Sequence, residues 1–244
     1  MSKRKKIALA ISLLLIGIVI ITIISFLIYV SDYYKAQDVD EYLESSDTVE
    51  VSKKDNNYYF VPSNYDTGII MYPGGKVETK AYAPICRLLA EDGYLVILLH
   101  MPFNLAFLDF DAADKIIDSY NDINFYLMGH SLGGAMSSEY LAKNYDKYEG
   151  MIYLASYTTK NLKNTNLRVL SMYGENDKVL NKKSYEKYKK TLPINSEEYM
   201  IKGGNHGYFG SYGEQKGDGT ATITPLTQWS IAVSRIDKFI KEAE

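Results

Sequence analysis

Three positions in this chain have the side-chain types that acyl transfer requires. They are a serine, Ser131, framed by Gly129 and Gly133; an acid, Glu175 or Asp177, in "GENDKV"; and a histidine, His206, in the glycine-lined stretch "GGNHGYFG". A serine hydroxyl is a weak nucleophile until an imidazole takes its proton and a carboxylate holds that imidazole in the right tautomer. The segment "FYLMGHSLGGAM" runs from an apolar stretch into a Gly-x-Ser-x-Gly turn, then into small residues suited to a helix. A corner of that kind strains its central residue, often at positive φ, and turns the side chain outward. Gly129 and Gly133 suit it because any side chain there would collide as strand and helix close up. His130 and Leu132 complete the elbow.

Of the three histidines, His206 lies after the last strand, where a base acting on Ser131 belongs. His130 sits inside the elbow and points away from that position, and His100 at a strand end reads as a packing or supporting residue. The oxyanion formed by attack needs backbone N–H donors. Leu132, directly after the nucleophile, supplies one, and Gly74 or Gly75 of "MYPGGK" supplies the other, the choice between them staying open. The single cysteine, Cys86, falls in the amphipathic stretch "YAPICRLLAE" and reads as a packed core thiol. Metal-ligand spacing, a dinucleotide fingerprint and a phosphate-binding loop are all missing from the sequence, so neither a metal nor a cofactor is expected.

These residues need a scaffold that brings distant strand ends together. Apolar runs at 67–72, 94–99, 124–128, 150–156, 167–173 and 197–201 read as strands, after an opening hairpin turning near Asp55 and Asn56. Between and after them, helical patterns run over about 78–91, 111–120, 132–143, 182–191 and 226–241. Such alternation predicts a mostly parallel sheet with helices on both faces, carrying its chemistry at the strand ends. The order is serine, acid, histidine, each just after a strand.

Those blocks resemble the α/β-hydrolase family, and more narrowly a small, lidless group related to dienelactone hydrolases. "YPGGKVETKAYAPICRLLAEDGYLVILLHMPFNLAF", "GHSLGG" and "GGNHGYFGSYGEQKGDG" carry the resemblance over roughly 65–240. It implies an α/β-hydrolase fold and selects Asp177 as the orienting acid, leaving Glu175 as surface charge. Dienelactone hydrolases proper use a cysteine nucleophile; this chain has Ser131. Only about ten residues separate the strands at 150–156 and 167–173, too few for a helical lid, so the pocket is expected to be open and shallow.

The N-terminus adds a second theme. After a basic tail over 1–6 comes a run from Ile7 to Val30, 24 residues without a charge, about 36 Å as a helix and enough to cross a hydrocarbon core of about 30 Å. A cleaved signal peptide would have a shorter apolar region and a small-residue cleavage site, which "FLIYVSDYYK" does not supply. Lys3, Arg4, Lys5 and Lys6 predict a cytoplasmic tail with the catalytic body outside the cell membrane. The expected organisation is therefore a tail at 1–6, a transmembrane anchor at 7–30, a polar stalk at 31–46 and an α/β-hydrolase domain at 47–244. Without those four basic residues, 23 of the 27 remain against 30 acidic ones. A formal charge of −7 disfavours nucleic acid as a partner. The function expected is a membrane-anchored serine hydrolase acting on small carboxylic esters through an acyl-enzyme. Acyl transfer by the same residues, a peptidase, and a non-catalytic tethered binding module are the alternatives.

Overall fold

The first two strands, β1 (Val49–Lys54) and β2 (Asn57–Pro62), form the hairpin expected from the sequence. Asp55 and Asn56 turn it with φ of 50° and 66°, left-handed values that a two-residue hairpin loop requires and that Asp and Asn tolerate. The computed structural model describes residues 2–120 and 122–242. The remaining strands are β3 (Thr67–Tyr72), β4 (Leu95–Leu98), β5 (Asn124–His130), β6 (Gly150–Leu154), β7 (Arg168–Gly174) and β8 (Glu197–Ile201). They form an eight-stranded sheet in the order β1-β2-β4-β3-β5-β6-β7-β8. β2 runs antiparallel to β1 and β4, and every other neighbouring pair is parallel. The carboxyl ends of β3 to β8 therefore share one edge, where Tyr72 pairs with Gly129, His130 with Leu154 and Gly174 with Ile201.

Both faces of the sheet are covered, which is why its central strands are apolar throughout rather than alternating. Ile69 and Met71 pack into one core with α2 (Ala83–Glu91) and α6 (Pro225–Lys241). Ile70 and Tyr72 face the other, with the one-turn α3 (Asp114–Ile117) and α4 (Leu132–Leu141). α5 (Lys182–Lys189) lies by the β7 edge, Tyr185 meeting Tyr173 edge to face. In α6, Thr224 caps the first turn and Trp229, Ala232, Val233, Ile236 and Ile240 bury one stripe, the three-and-four spacing of a helix packed on one side.

Two helices are shorter than their patterns suggest. The pattern at 78–91 begins as a 3-10 turn over Thr79–Tyr82 and becomes α-helical only at Ala83, with Pro84 in the first turn, where its missing N–H costs nothing. The pattern at 111–120 leaves only Asp114–Ile117. There the Tyr72 hydroxyl donates to the Phe110 carbonyl and accepts from Ala113 N–H, so tertiary bonds take up backbone groups that a longer helix would use.

The chain divides into two units at Tyr33 and Tyr34. The first holds α1 (Lys3–Ser31), 29 residues long, with a mean hydropathy of 3.2 over its most apolar window. It is apolar on every side and long enough to cross a membrane, properties shared by a membrane anchor and a signal sequence. The second unit starts earlier than the stalk expected at 31–46 allows. Tyr34 N–H donates to Lys76 carbonyl at 2.8 Å, Glu78 N–H donates to Tyr34 carbonyl at 2.9 Å, and Val39 is buried in the core. From Tyr34 onward the segment is part of the globular unit, because its backbone finds a partner in Val77 and its neighbours, in the loop after β3.

Candidate active site

Ser131 stands between β5 and α4 with φ 49° and ψ −121°, a conformation that costs a non-glycine residue about 1–3 kcal/mol. Two glycines make the corner possible: a Cβ on Gly129 would run into the Gly134 backbone, and one on Gly133 into the carbonyls of Tyr72 and Pro73. The corner is also bonded into β6, with Ser131 N–H donating to Leu154 carbonyl at 3.0 Å and Ser156 hydroxyl donating to Ser131 carbonyl at 2.6 Å. Ala155, between those two partners, is itself left-handed at φ 46°.

Asp177 follows β7 by three residues and His206 follows β8 by five. The two side chains meet: His206 Nδ1 lies 2.9 Å from Asp177 Oδ2, both residues being buried. The other carboxylate oxygen, Oδ1, accepts the N–H groups of Val179 and Leu180, each at 2.8 Å. Three bonds thus fix the carboxylate, and with Nδ1 engaged His206 presents Nε2, which is buried and has no hydrogen-bond partner among the described residues. Glu175, the alternative acid, is exposed as surface charge should be, yet its carboxylate accepts Gly203 N–H at 2.9 Å and so props the loop that carries His206. It does not reach His206.

His206, Ser131, Leu132, Ala155, Tyr157 and Leu180 line one cleft of about 240 Å³, below the range of pockets that hold drug-sized ligands. The connection over 155–167 that flanks it contains no helix, in line with an open pocket. Of the two candidate oxyanion glycines, Gly74 has its N–H committed, donating to the Tyr82 hydroxyl at 3.0 Å. Gly75 lies so close to Leu132 that a Cβ there would press on its side chain.

His130 does more than fill the elbow. Because the His206 carbonyl can only accept, the neutral ring of His130 carries its proton on Nε2 and donates there at 3.1 Å, leaving Nδ1 to accept from the Tyr82 hydroxyl, 2.7 Å away, which in turn accepts from Gly74 N–H. Burial, with the neighbouring His206 ring second, holds its pKa well below the usual range. One neutral imidazole thereby joins the loop after β3, the elbow and the His206 loop. His100 is exposed rather than packed, 3.4 Å from the Thr79 hydroxyl. Cys86 is buried with its thiol pushed up by desolvation, as expected of a core residue.

Sequence reasoning missed the residues that hold the His206 loop. Buried Gln228 on α6 accepts Asn205 N–H at 3.0 Å and donates to Asn205 carbonyl at 2.9 Å. Asp218 accepts Gly207 N–H at 2.9 Å and Lys178 N–H at 3.3 Å, tying the His206 loop to the Asp177 loop. Among the described residues no cluster of His, Cys, Asp and Glu is suited to hold a metal.

A model of the alpha/beta hydrolase family matches residues 68–230, and the chain belongs to that family. Solved structures share the fold. A hydrolase from the metagenome of Mar Chica lagoon sediments superposes with a TM-score of 0.60 at 14% identity, covering 80% of this chain and 99% of that one. Est1E from Butyrivibrio proteoclasticus with bound ferulic acid gives 0.59 at 13%, covering 81% and 97%. A soluble variant of monoglyceride lipase from Saccharomyces cerevisiae, in complex with a substrate analog, gives 0.56 at 12%, covering 81% and 97%. No curated protein sequence matches the chain.

Proposed function

We propose that the protein is a membrane-anchored serine hydrolase that cleaves small carboxylic esters through an acyl-enzyme on Ser131. The observation that carries this reading is the state of His206: Nδ1 is held by a fixed carboxylate, Nε2 is buried without a partner among the described residues, and the residue lines the same cleft as Ser131. A buried ring nitrogen left unsatisfied is costly, and a serine proton passing to it is the use that repays the arrangement. The monoglyceride lipase with its substrate analog, among the structural neighbours, is consistent with ester chemistry.

In this reading Ser131 Oγ attacks the ester carbonyl while His206 Nε2 takes its proton, and Asp177 stabilises the imidazolium without accepting a proton itself. The tetrahedral oxygen lies against the N–H groups of Leu132 and Gly75, neither of which is taken by another described residue. The C–O bond to the alcohol then breaks and the alcohol leaves with the proton from His206. Water, deprotonated by the same nitrogen, releases the acid and restores Ser131. α1 would hold this machinery at a membrane, the tail of Lys3, Arg4, Lys5 and Lys6 remaining on the cytoplasmic side.

Intact-mass measurement of the full chain after treatment with a fluorophosphonate tests the assignment. One adduct is expected on the wild type and none on Ser131→Ala, with turnover of p-nitrophenyl acetate falling about 10⁶-fold in that variant. An adduct that persists in Ser131→Ala removes the serine from the mechanism.

A further inference from the structure

The segment after β4 carries large apolar side chains in the open. Within eight residues, Phe103, Phe107 and Leu108 are exposed by 52%, 47% and 43%, and Phe110 is exposed as well. Single exposed apolar residues mean little, but a run of them at one edge marks an interaction surface. The segment is not loose chain: Leu105 and Ala106 are buried beneath it, Lys76 N–H donates to the Asn104 carbonyl at 2.8 Å, and the Tyr72 hydroxyl clamps Phe110 through its carbonyl. Phe103 and Asn104 are held at φ 53° and 57°, left-handed backbone that survives only where its surroundings impose it. The fold thus fixes this rim with its aromatic side chains outward.

The rim shares its edge of the sheet with the cleft, because β4 runs parallel to β3, whose carboxyl end leads into Gly74 and Gly75. The entry of the chain into the domain shares it too. Tyr34 N–H bonds to the carbonyl of Lys76, the residue whose own N–H bonds to Asn104. Tyr34 follows Ser31, the last residue of α1, by three positions, a reach of at most about 10–11 Å. That bound comes from covalent connection alone and holds for any angle between the two units.

We infer that the rim of Phe103, Phe107, Leu108 and Phe110 rests on the lipid surface, so that the cleft opens toward the membrane and takes its esters from there. This rests on the anchored-hydrolase reading and adds an orientation to it. Aromatic and leucine side chains partition into the interfacial layer, about 5–10 Å deep. The flanking Asp109 and Asp111 and the acidic body offer anionic headgroups no attraction, so contact comes from apolar insertion and is stronger on zwitterionic than on anionic bilayers.

The test places a nitroxide on Phe107→Cys, and separately on Ile194→Cys, in the full chain reconstituted into phosphatidylcholine vesicles. Ile194 is 95% exposed in the turn before β8, at the far edge of the sheet, and buried Cys86 stays unlabelled. Accessible to oxygen but shielded from an aqueous nickel chelate at 107, with the reverse at 194, is the expected result. A chain that floats with vesicles while its 107 label meets the nickel chelate overturns the docking and leaves the anchor standing. A chain that does not float overturns both. A 107 label shielded from both reagents also overturns it, in favour of a protein contact. A second arm compares hydrolysis: the double variant Phe107→Ser, Leu108→Ser should lose about tenfold or more on p-nitrophenyl palmitate carried in the vesicles, the equivalent of about 1.4 kcal/mol, and little on soluble p-nitrophenyl acetate. Equal losses on the two esters would count against the inference.

Discussion

The corner that carries Ser131 and the loop that carries His206 are built on different principles. Ser131 is positioned by shape: Gly129 and Gly133 leave room for two backbones to close up, and the strained φ follows from that closure. His206 is positioned by polarity: Asp177 holds its ring, Gln228 clamps the neighbouring Asn205, and Asp218 and Glu175 take up the N–H groups of Gly207 and Gly203. The corner's own glycines are close in the chain, though the backbone that Gly133 closes on belongs to Tyr72 and Pro73 of the neighbouring strand end. A hydrogen-bonded loop recruits partners from anywhere, here from as far as α6.

The largest effect that separates the two principles is expected from the polar side. Asp177→Asn should lower turnover about 10⁴-fold with the fold intact, because the imidazole is left in the wrong tautomer, whereas Glu175→Gln, still able to accept from Gly203, should stay close to wild type. Equal losses in steady-state assays would leave the orienting acid unassigned. On the steric side, Gly133→Ala brings a methyl against the Tyr72 and Pro73 carbonyls. Backbone cannot yield as a flexible side chain does, so Ser131 must shift, and a displacement of about 1 Å costs about 100-fold in rate. Near-normal turnover in that variant would mean the corner is looser than its contacts imply.

The same contrast explains what could be read from the sequence. The elbow compresses into five residues, Gly129 to Gly133, and the strand runs at 67–72 and 197–201 coincide with β3 and β8; β3 is buried along its whole length and is a short apolar run, whereas β8 is a largely exposed edge strand. Position after a strand does not by itself separate Asp177 from Glu175, and only the family resemblance chose between them, but the stretches holding Asp177 and His206 were legible because each follows a strand. Gln228 was not: it is one polar residue on the buried stripe of an amphipathic helix, and only the tertiary fold shows that Asn205 lies opposite. Nor was the docking of Tyr34 to Leu43, whose polar composition suggests a free stalk while its backbone pairs beside Val77.

Gln228→Leu tests the unreadable half. Leucine fills similar volume but strands the N–H and carbonyl of Asn205, a penalty of about 2 kcal/mol, which at this chain length corresponds to about 4–8 °C in Tm. The catalytic rate should fall along with it, as the His206 loop loses its clamp. A variant that melts early yet turns over normally would show that the clamp serves stability alone.

The smallest effect concerns His130, where shape and polarity meet. Its folded pKa lies well below the ordinary value of 6.5, so the unfolded chain binds the proton more readily. Stability is then fully present above about pH 6.5 and drains away as pH falls from there toward the depressed folded value. The groups facing the ring sharpen this sense: the Tyr82 hydroxyl donates to the Nδ1 lone pair, and the single ring proton, on Nε2, points at the His206 carbonyl, so a second ring proton would have to displace the Tyr82 bond. His130→Gln should therefore be less stable than wild type at pH 8, having lost one of those bonds, and should show a flatter acid limb in urea unfolding between pH 7 and pH 5. Parallel limbs for the two proteins would mean that His130 gives up its bond to Tyr82 and takes the proton without cost.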